Sequence, residues 1–265
     1  MPRQITGFSN ATVKLLRSLR DKKARRAEGL FLAEGLRILT EARDGGRLPE
    51  IIAFSAEGAK HPLAGEIIAA TEAAGGDAIE TSADILSKMS GKDNPQMLLG
   101  AYRQPDVSLE RIDRSKADLW IVAQALRDPG NIGTILRTGD AVGAGGLILV
   151  DDSADPYSVE AVRASMGAVF TQEIAVARWP EFLTWLRAGD GQLVGTSLKA
   201  THDYLDAEYR KPCFLLIGNE QQGLPADYEA ECDLLIKIPM AGRADSLNAA
   251  MATAVMAFAI RASWR

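Results

Sequence analysis

Cysteine and histidine are almost missing from this chain of 265 residues, which has two of each. Cys213 and Cys232 do not show the spacing of metal ligands, and Cys213 lies in an apolar run. A disulfide framework and a zinc site are therefore both excluded, and the thiols read as inert groups in a reducing compartment. His61 and His202 stand apart from every polar cluster described below, which argues against a histidine base. No run of about 18 apolar residues exists to span a membrane. The opening Met1-Pro2-Arg3-Gln4 is polar where a signal peptide would carry its apolar core. A cytoplasmic, metal-free protein is the expectation.

Basic charge is also scarce overall, since 30 Lys and Arg against 35 Asp and Glu leave a net charge of −5. That total argues against nucleic acid, but its distribution argues for it. Residues 1–26 hold Arg3, Lys14, Arg17, Arg20, Lys22, Lys23, Arg25 and Arg26 against Asp21 alone, a local +7 that leaves −12 for the rest. Such polarity is the electrostatic footprint of a phosphate-binding segment, although a solvated helix face would look the same.

What is present is the composition of a globular α/β protein: 47% hydrophobic and 25% charged residues, with length enough for two domains. Asn10 caps an amphipathic helix running through Val13, Leu15, Leu16 and Leu19. Strands are expected at 30–33, 51–54 and 96–102, separated by helices from Glu34 to about Ala42 and from Pro62 to Ala74, each stopped by a Gly-Gly pair. Together they form a small α/β domain over residues 1–104. Residues 105–117 turn polar and read as a linker. Beyond it, apolar strands at 119–122, 147–150, 173–176, 193–195, 213–217 and 234–238 alternate with helices, which predicts a largely parallel sheet covered on both faces in a second domain, 118–265. A final helix is expected from Ser246 to about Trp264.

Three polar clusters sit at strand ends in that second domain. In Asp128-Pro129-Gly130-Asn131-Ile132-Gly133-Thr134-Ile135-Leu136-Arg137, free N–H groups at a helix start favour an anion. Asn131 and Arg137 are six residues apart and converge only if Asn131 belongs to the entry loop. In Leu215-Leu216-Ile217-Gly218-Asn219-Glu220-Gln221-Gln222-Gly223, a buried strand runs straight into glycines and amides, and Gly218 would let a ligand approach the main chain. In Ile236-Lys237-Ile238-Pro239-Met240-Ala241-Gly242-Arg243-Ala244-Asp245-Ser246-Leu247-Asn248, a strand halts at Pro239, and Ser246 reads as the N-cap of the last helix with Asn248 in its first turn. Taken singly, each cluster is also compatible with an ordinary capped turn.

In order and detail the three clusters resemble the signature motifs of the SpoU (TrmH-like) branch of the SPOUT RNA 2′-O-methyltransferases, over most of residues 118–265. Gly29-Leu30-Phe31-Leu32-Ala33-Glu34-Gly35 is similar, over a shorter stretch, to the substrate-binding domain attached to many of these enzymes. The resemblance implies an α/β trefoil-knot catalytic domain, S-adenosylmethionine as methyl donor, a ribose 2′-hydroxyl of structured RNA as acceptor, and a homodimer. Gly218, Ile238 and Leu247 would line the donor pocket, with Thr196 and Met240 nearby. Asn131, Arg137, Glu220, Ser246 and Asn248 match the polar positions around the reacting ribose. Lys14, Arg17, Arg20, Lys22, Lys23, Arg25 and Arg26 would dock the RNA, ribosomal RNA of the 23S type being favoured over transfer RNA. Arg137 is read as a phosphate clamp, and the base that removes the hydroxyl proton is left open. Asp155-Pro156-Tyr157-Ser158 and Arg163-Ala164-Ser165-Met166-Gly167-Ala168 also fit the family, but Glu160 stands where a basic residue is common.

Two rival readings remain for comparison. Gly139, Gly143, Gly145 and Gly146 miss the G-x-G-x-x-G spacing of a dinucleotide-dependent oxidoreductase. A catalytically silent RNA-binding protein would have no need of Asn131, Arg137, Glu220 and Asn248 together.

Overall fold

The computed structural model describes residues 2–265, and the chain folds as two units. One holds the residues up to Pro105 together with Asp155–Thr171; the other holds Asp106–Ala154 and Gln172–Arg265. This departs from the contiguous division expected from the sequence in two places. Residues 155–171 leave the second unit for the first. The supposed linker at 105–117 forms short turns at Leu109–Arg111 and Arg114–Lys116, and buries Leu109 and Ile112 in the second unit's core.

The first unit is built on a five-stranded sheet. Its strands are β1 (Arg3–Ile5), β2 (Leu30–Glu34), β3 (Ile51–Phe54), β4 (Asp77–Thr81) and β5 (Leu98–Arg103), in the order β1-β4-β3-β5-β2. β1, β4 and β3 run parallel, and β5 is antiparallel to both its neighbours. Alternation along β2 sends Leu30 and Leu32 to the face shared with Val13, Leu16 and Leu19, and with Ile85, Leu86 and Met89. It sends Phe31 to the other face, with its ring centroid 4.9 Å from that of Tyr157 and 5.7 Å from that of Phe170. Tyr102 joins them, 4.7 Å from Phe170. This aromatic cluster is the physical reason that residues 155–171 belong here.

The basic N-terminal segment differs from the single helix expected. Asn10 does cap the first helix, Ala11–Ser18, accepting from Thr12 N at 2.8 Å. Asp21 then caps a second helix, Lys22–Glu28, accepting from Lys23 N at 2.8 Å. An Asp with helix-start geometry ends one helix and begins another. Arg25, read from the sequence as an RNA contact, is 3% exposed. Its guanidinium donates to Asp155 Oδ2 at 2.6 and 3.1 Å and to the carbonyls of Leu19 and Arg20 at 2.9 and 2.8 Å. It is therefore structural.

The second unit is a seven-stranded sheet of β6 (Leu119–Gln124), β7 (Gly146–Val150), β8 (Glu173–Ala177), β9 (Gln192–Thr196), β10 (His202–Asp203), β11 (Cys213–Ile217) and β12 (Leu234–Lys237). The order is β10-β12-β9-β11-β6-β7-β8, and every neighbouring pair is parallel. β6 and β11 are buried along their whole length, which is why they read as unbroken apolar runs. Helix Trp179–Arg187 covers the face bearing Trp120, Val122, Phe214 and Leu216. Helices Pro129–Val142 and Ala249–Ser263 pack on each other and on β7 and β11. Because the strands are parallel, the carboxyl ends of β6, β9, β11 and β12 meet along one edge, the usual ligand-binding edge of such sheets.

Burial pushes the thiol of Cys213, on β11, up to about 12. Cys232 is likewise pushed up to about 12, by burial first and then by nearby Asp233 and Glu229, and its Sγ donates to Tyr228 O at 3.3 Å. At pH 8 each would be thiolate in roughly one molecule in ten thousand. Iodoacetamide at pH 8 is therefore expected to leave both unmodified in the native protein and to alkylate both in urea. Rapid native alkylation, read by mass spectrometry, would contradict this.

Candidate active site

Three loops at the carboxyl edge of the second sheet build the site. After β11, Gly218 begins a tight loop closed by a backbone bridge between Asn219 and Gly223. Asn219 Oδ1 accepts from Gln221 N at 2.9 Å, and its Nδ2 donates to Ala125 O at 2.7 Å. Ala125, just beyond β6, has φ of 48°, an unfavourable conformation for a residue with a Cβ, and the Asn219 contact helps hold it. The loop itself requires glycine at position 218. A Cβ there would lie 2.4 Å from Gly223 C and Leu224 N.

This loop is the wall between two concavities. On one side is a cleft of about 280 Å³ lined by Thr196, Gly218, Ile238, Met240 and Leu247, together with Ile217, Ile236 and Met256. All five residues assigned to the donor pocket from the sequence meet there. On the other side, a hollow of about 720 Å³ is lined by Gln124, Arg127, Asp128, Asn131, Asn248 and the same Asn219–Leu224 wall.

The polar side chains in that hollow form a directed chain. Asn248 Nδ2 donates to Asn131 Oδ1 at 3.0 Å, and Asn131 Nδ2 donates to Glu220 Oε1 at 2.9 Å. Asn248 Oδ1 is already committed to Ala250 N and Met251 N at 2.9 and 3.3 Å, so both amide orientations are fixed by their partners. Asn248, not Ser246, is thus the N-cap of the last helix, which begins at Ala249. Either residue type can cap, but only Asn248 reaches the free N–H groups while also facing Asn131. Ser246 lies on the wall of the cleft of about 280 Å³ instead.

Arg137 is not brought to this chain. Asn131 belongs to the first turn of helix Pro129–Val142, which is capped by Asp128, and not to the entry loop. Six residues along one helix carry Arg137 roughly 9 Å up the axis and about 120° round from Asn131. It is exposed and lines neither concavity. The structural importance of Asn219 was missed in the sequence, although an Asn flanked by Gly at a strand end was the signal for it. Among the described residues there is no group of three metal-ligating side chains, and no helix is long and apolar enough to cross a membrane.

Residues 118–258 match the SpoU rRNA Methylase family, and residues 10–100 match the MRM3-like substrate binding domain. The chain belongs to the SpoU rRNA methylase family. Among its SpoU relatives is the 23S rRNA (uridine(2479)-2′-O)-methyltransferase of Streptomyces viridochromogenes, 32% identical over 91% of this chain and 85% of that protein. The 23S rRNA (guanosine(2553)-2′-O)-methyltransferase RlmP of Bacillus subtilis is 28% identical over 98% of this chain and 99% of its own. Among solved structures, an AdoMet-bound rRNA methyltransferase from Sinorhizobium meliloti superposes with a TM-score of 0.91 at 40% identity, covering 99% of this chain and 98% of that one.

Proposed function

We propose that this SpoU protein transfers a methyl group from S-adenosylmethionine to a ribose 2′-hydroxyl of ribosomal RNA of the 23S type, in the cytoplasm. The observation that carries this reading is the single loop, Asn219–Leu224, that walls both an apolar-lined cleft and a hollow bearing Asn131, Glu220 and Asn248. A donor in the cleft and an acceptor in the hollow would have to meet at the rim of that loop, where Glu220 lines both, because the attacking oxygen must come within about 3–3.5 Å of the methyl carbon. The cleft suits the donor chemically, since Ile217, Ile238, Leu247 and Met256 offer apolar surface, and Thr196 and the main chain at Gly218 offer polar contacts. The bound donor supplies a methyl group already activated on a positively charged sulfur. What the protein adds is alignment of the hydroxyl and a place for its proton.

Glu220 has acceptor capacity to spare in the hollow. Its Oε1 is held by Asn131, while Oε2 has only a 3.5 Å contact from Asn219. A ribose hydroxyl donating to Oε2 would be oriented by a carboxylate that the Asn248–Asn131 relay holds still. A guanidinium offers a planar fork of donors and no acceptor, so Arg137 fits a phosphate clamp better than a base. Its absence from the hollow fits a homodimer in which a second copy supplies it. The last helix exposes Met251, Val255 and Phe258, at 63%, 37% and 52%, in one stripe of helical spacing that a second copy would cover. The trefoil threading of this family is supported by β9, β11 and β12 lying side by side out of chain order.

The test is transfer of tritium from methyl-labelled S-adenosylmethionine to ribosomal RNA, followed by nuclease digestion for 2′-O-methylated nucleosides. Arg137→Ala is expected to lower transfer at least about a hundredfold while leaving donor affinity within about twofold by calorimetry. Donor binding without transfer by the wild type would point instead to a silent RNA-binding protein.

A further inference from the structure

The cations of the N-terminal segment, which the sequence presents as one basic face, are sorted by the structure into different tasks. Arg25 is buried scaffolding. Its Nη1 donates to the carbonyls of Leu19 and Arg20 and so fixes the turn between the first two helices. Lys22, Lys23 and Arg26 are exposed on the second helix. Lys14, Arg17 and Arg20 line, with Ser18 and Asp21, one hollow of about 450 Å³. Among the described residues no carboxylate forms an ion pair with these three cations. Asp21, the acid on the rim, is engaged as a helix cap by Lys23 N and Ala24 N.

Arg20 is placed with particular care. Its guanidinium lies directly over Gly91, the left-handed C-cap of helix Ala83–Ser90, so closely that a Cβ at Gly91 would fall 2.1 Å from Arg20 Cζ. Three like charges held around one concavity repel one another, and an anion seated among them relieves that repulsion. We propose that this hollow is a built phosphate-binding site that grips the sugar–phosphate backbone of the RNA substrate. Arg17 and Arg20 offer planar forks to the non-bridging oxygens, and Lys14 adds a point charge. The proposal rests on the reading that the substrate is RNA. It gives this part of the N-terminal unit the task of positioning, since phosphate contacts fix register without reading sequence.

The experiment uses the full chain and a labelled, folded ribosomal RNA fragment, with affinity measured by fluorescence anisotropy across a potassium chloride series. Arg17→Gln with Arg20→Gln should weaken binding about tenfold at low salt and reduce the slope of log affinity against log salt by about one. Gly91→Ala should act in the same direction by displacing Arg20 without changing the net charge. Its control is Gly29→Ala, which also places a Cβ on a left-handed residue, at φ of 64°, but meets nothing within 4 Å. An unchanged slope in the double variant, or equal RNA affinity in Gly91→Ala and Gly29→Ala, overturns the proposal. So does competition by inorganic phosphate at this hollow, read by NMR shifts, that leaves RNA binding untouched. Salt-dependent RNA binding that these variants weaken, in a protein that transfers no methyl group, would sustain the site while removing the methyltransferase reading.

Discussion

Replacing Gly218 with alanine is expected to lower donor affinity at least about a hundredfold, because the new methyl group meets main chain rather than a movable side chain. The added Cβ would fall 2.4 Å from Gly223 C and Leu224 N, a distance that Cβ atoms essentially never show. The loop must therefore open, and it is the wall shared by both concavities. Opening it also pulls Asn219 from Ala125 O and Glu220 from Asn131. Gly223, in the same loop, makes the comparison sharp. It sits at φ of 69° with nothing within 4 Å of its would-be Cβ, so Gly223→Ala carries only the strain of a left-handed alanine, about 1 kcal/mol. Calorimetric titration with S-adenosylmethionine should therefore separate the two variants widely, although their chemistry is identical. Similar affinities in both would show that the Asn219–Leu224 loop is not the wall of the donor cleft.

The contrast also marks what the sequence made legible and what it hid. Parallel strands buried on both faces announce themselves as apolar runs, so β6, β7, β8, β9, β11 and β12 could be located from residue type alone. β1 and β4 could not. Arg3-Gln4-Ile5 is short and polar, and Asp77-Ala78-Ile79-Glu80-Thr81 lacks a clean alternation, so pairing with neighbours, and not local pattern, makes them strands. The residues read as donor-side follow strand ends, and that much was legible: Thr196, Gly218, Ile238, Met240 and Leu247 line one cleft. The role of Gly218 was not, since the need for glycine comes from Gly223 and Leu224 folding back on it. Arg137 illustrates a different limit. A six-residue spacing leaves open whether two side chains converge, and the answer turned on Asp128 starting the helix before Asn131.

Arg25 shows the largest gap between composition and structure, and it carries the largest expected change in stability. In the sequence it is one of eight basic residues in a basic segment; in the fold it is 3% exposed and held by Asp155, 130 residues away. Asp155 Oδ2 accepts from Arg25 Nε and Nη2, while its Oδ1 accepts from Tyr157 N at 2.9 Å, so one carboxylate ties residues 155–157 to the turn at Leu19 and Arg20. Asp155→Ala would leave a buried guanidinium without its counter-charge, a change that costs about 3–5 kcal/mol. The N-terminal unit should unfold at clearly lower urea concentration. Arg25→Met combined with Asp155→Leu removes both charges together and is expected to recover much of that loss, since a desolvated pair contributes little net stability over a well-packed apolar one. The double variant also lacks the donor that pins the carbonyls of Leu19 and Arg20, so it should stay folded yet hold Arg20 less firmly. Urea unfolding monitored by circular dichroism gives the first quantity and salt-dependent RNA binding the second. A single variant as stable as the wild type would mean that water, rather than Asp155, satisfies Arg25.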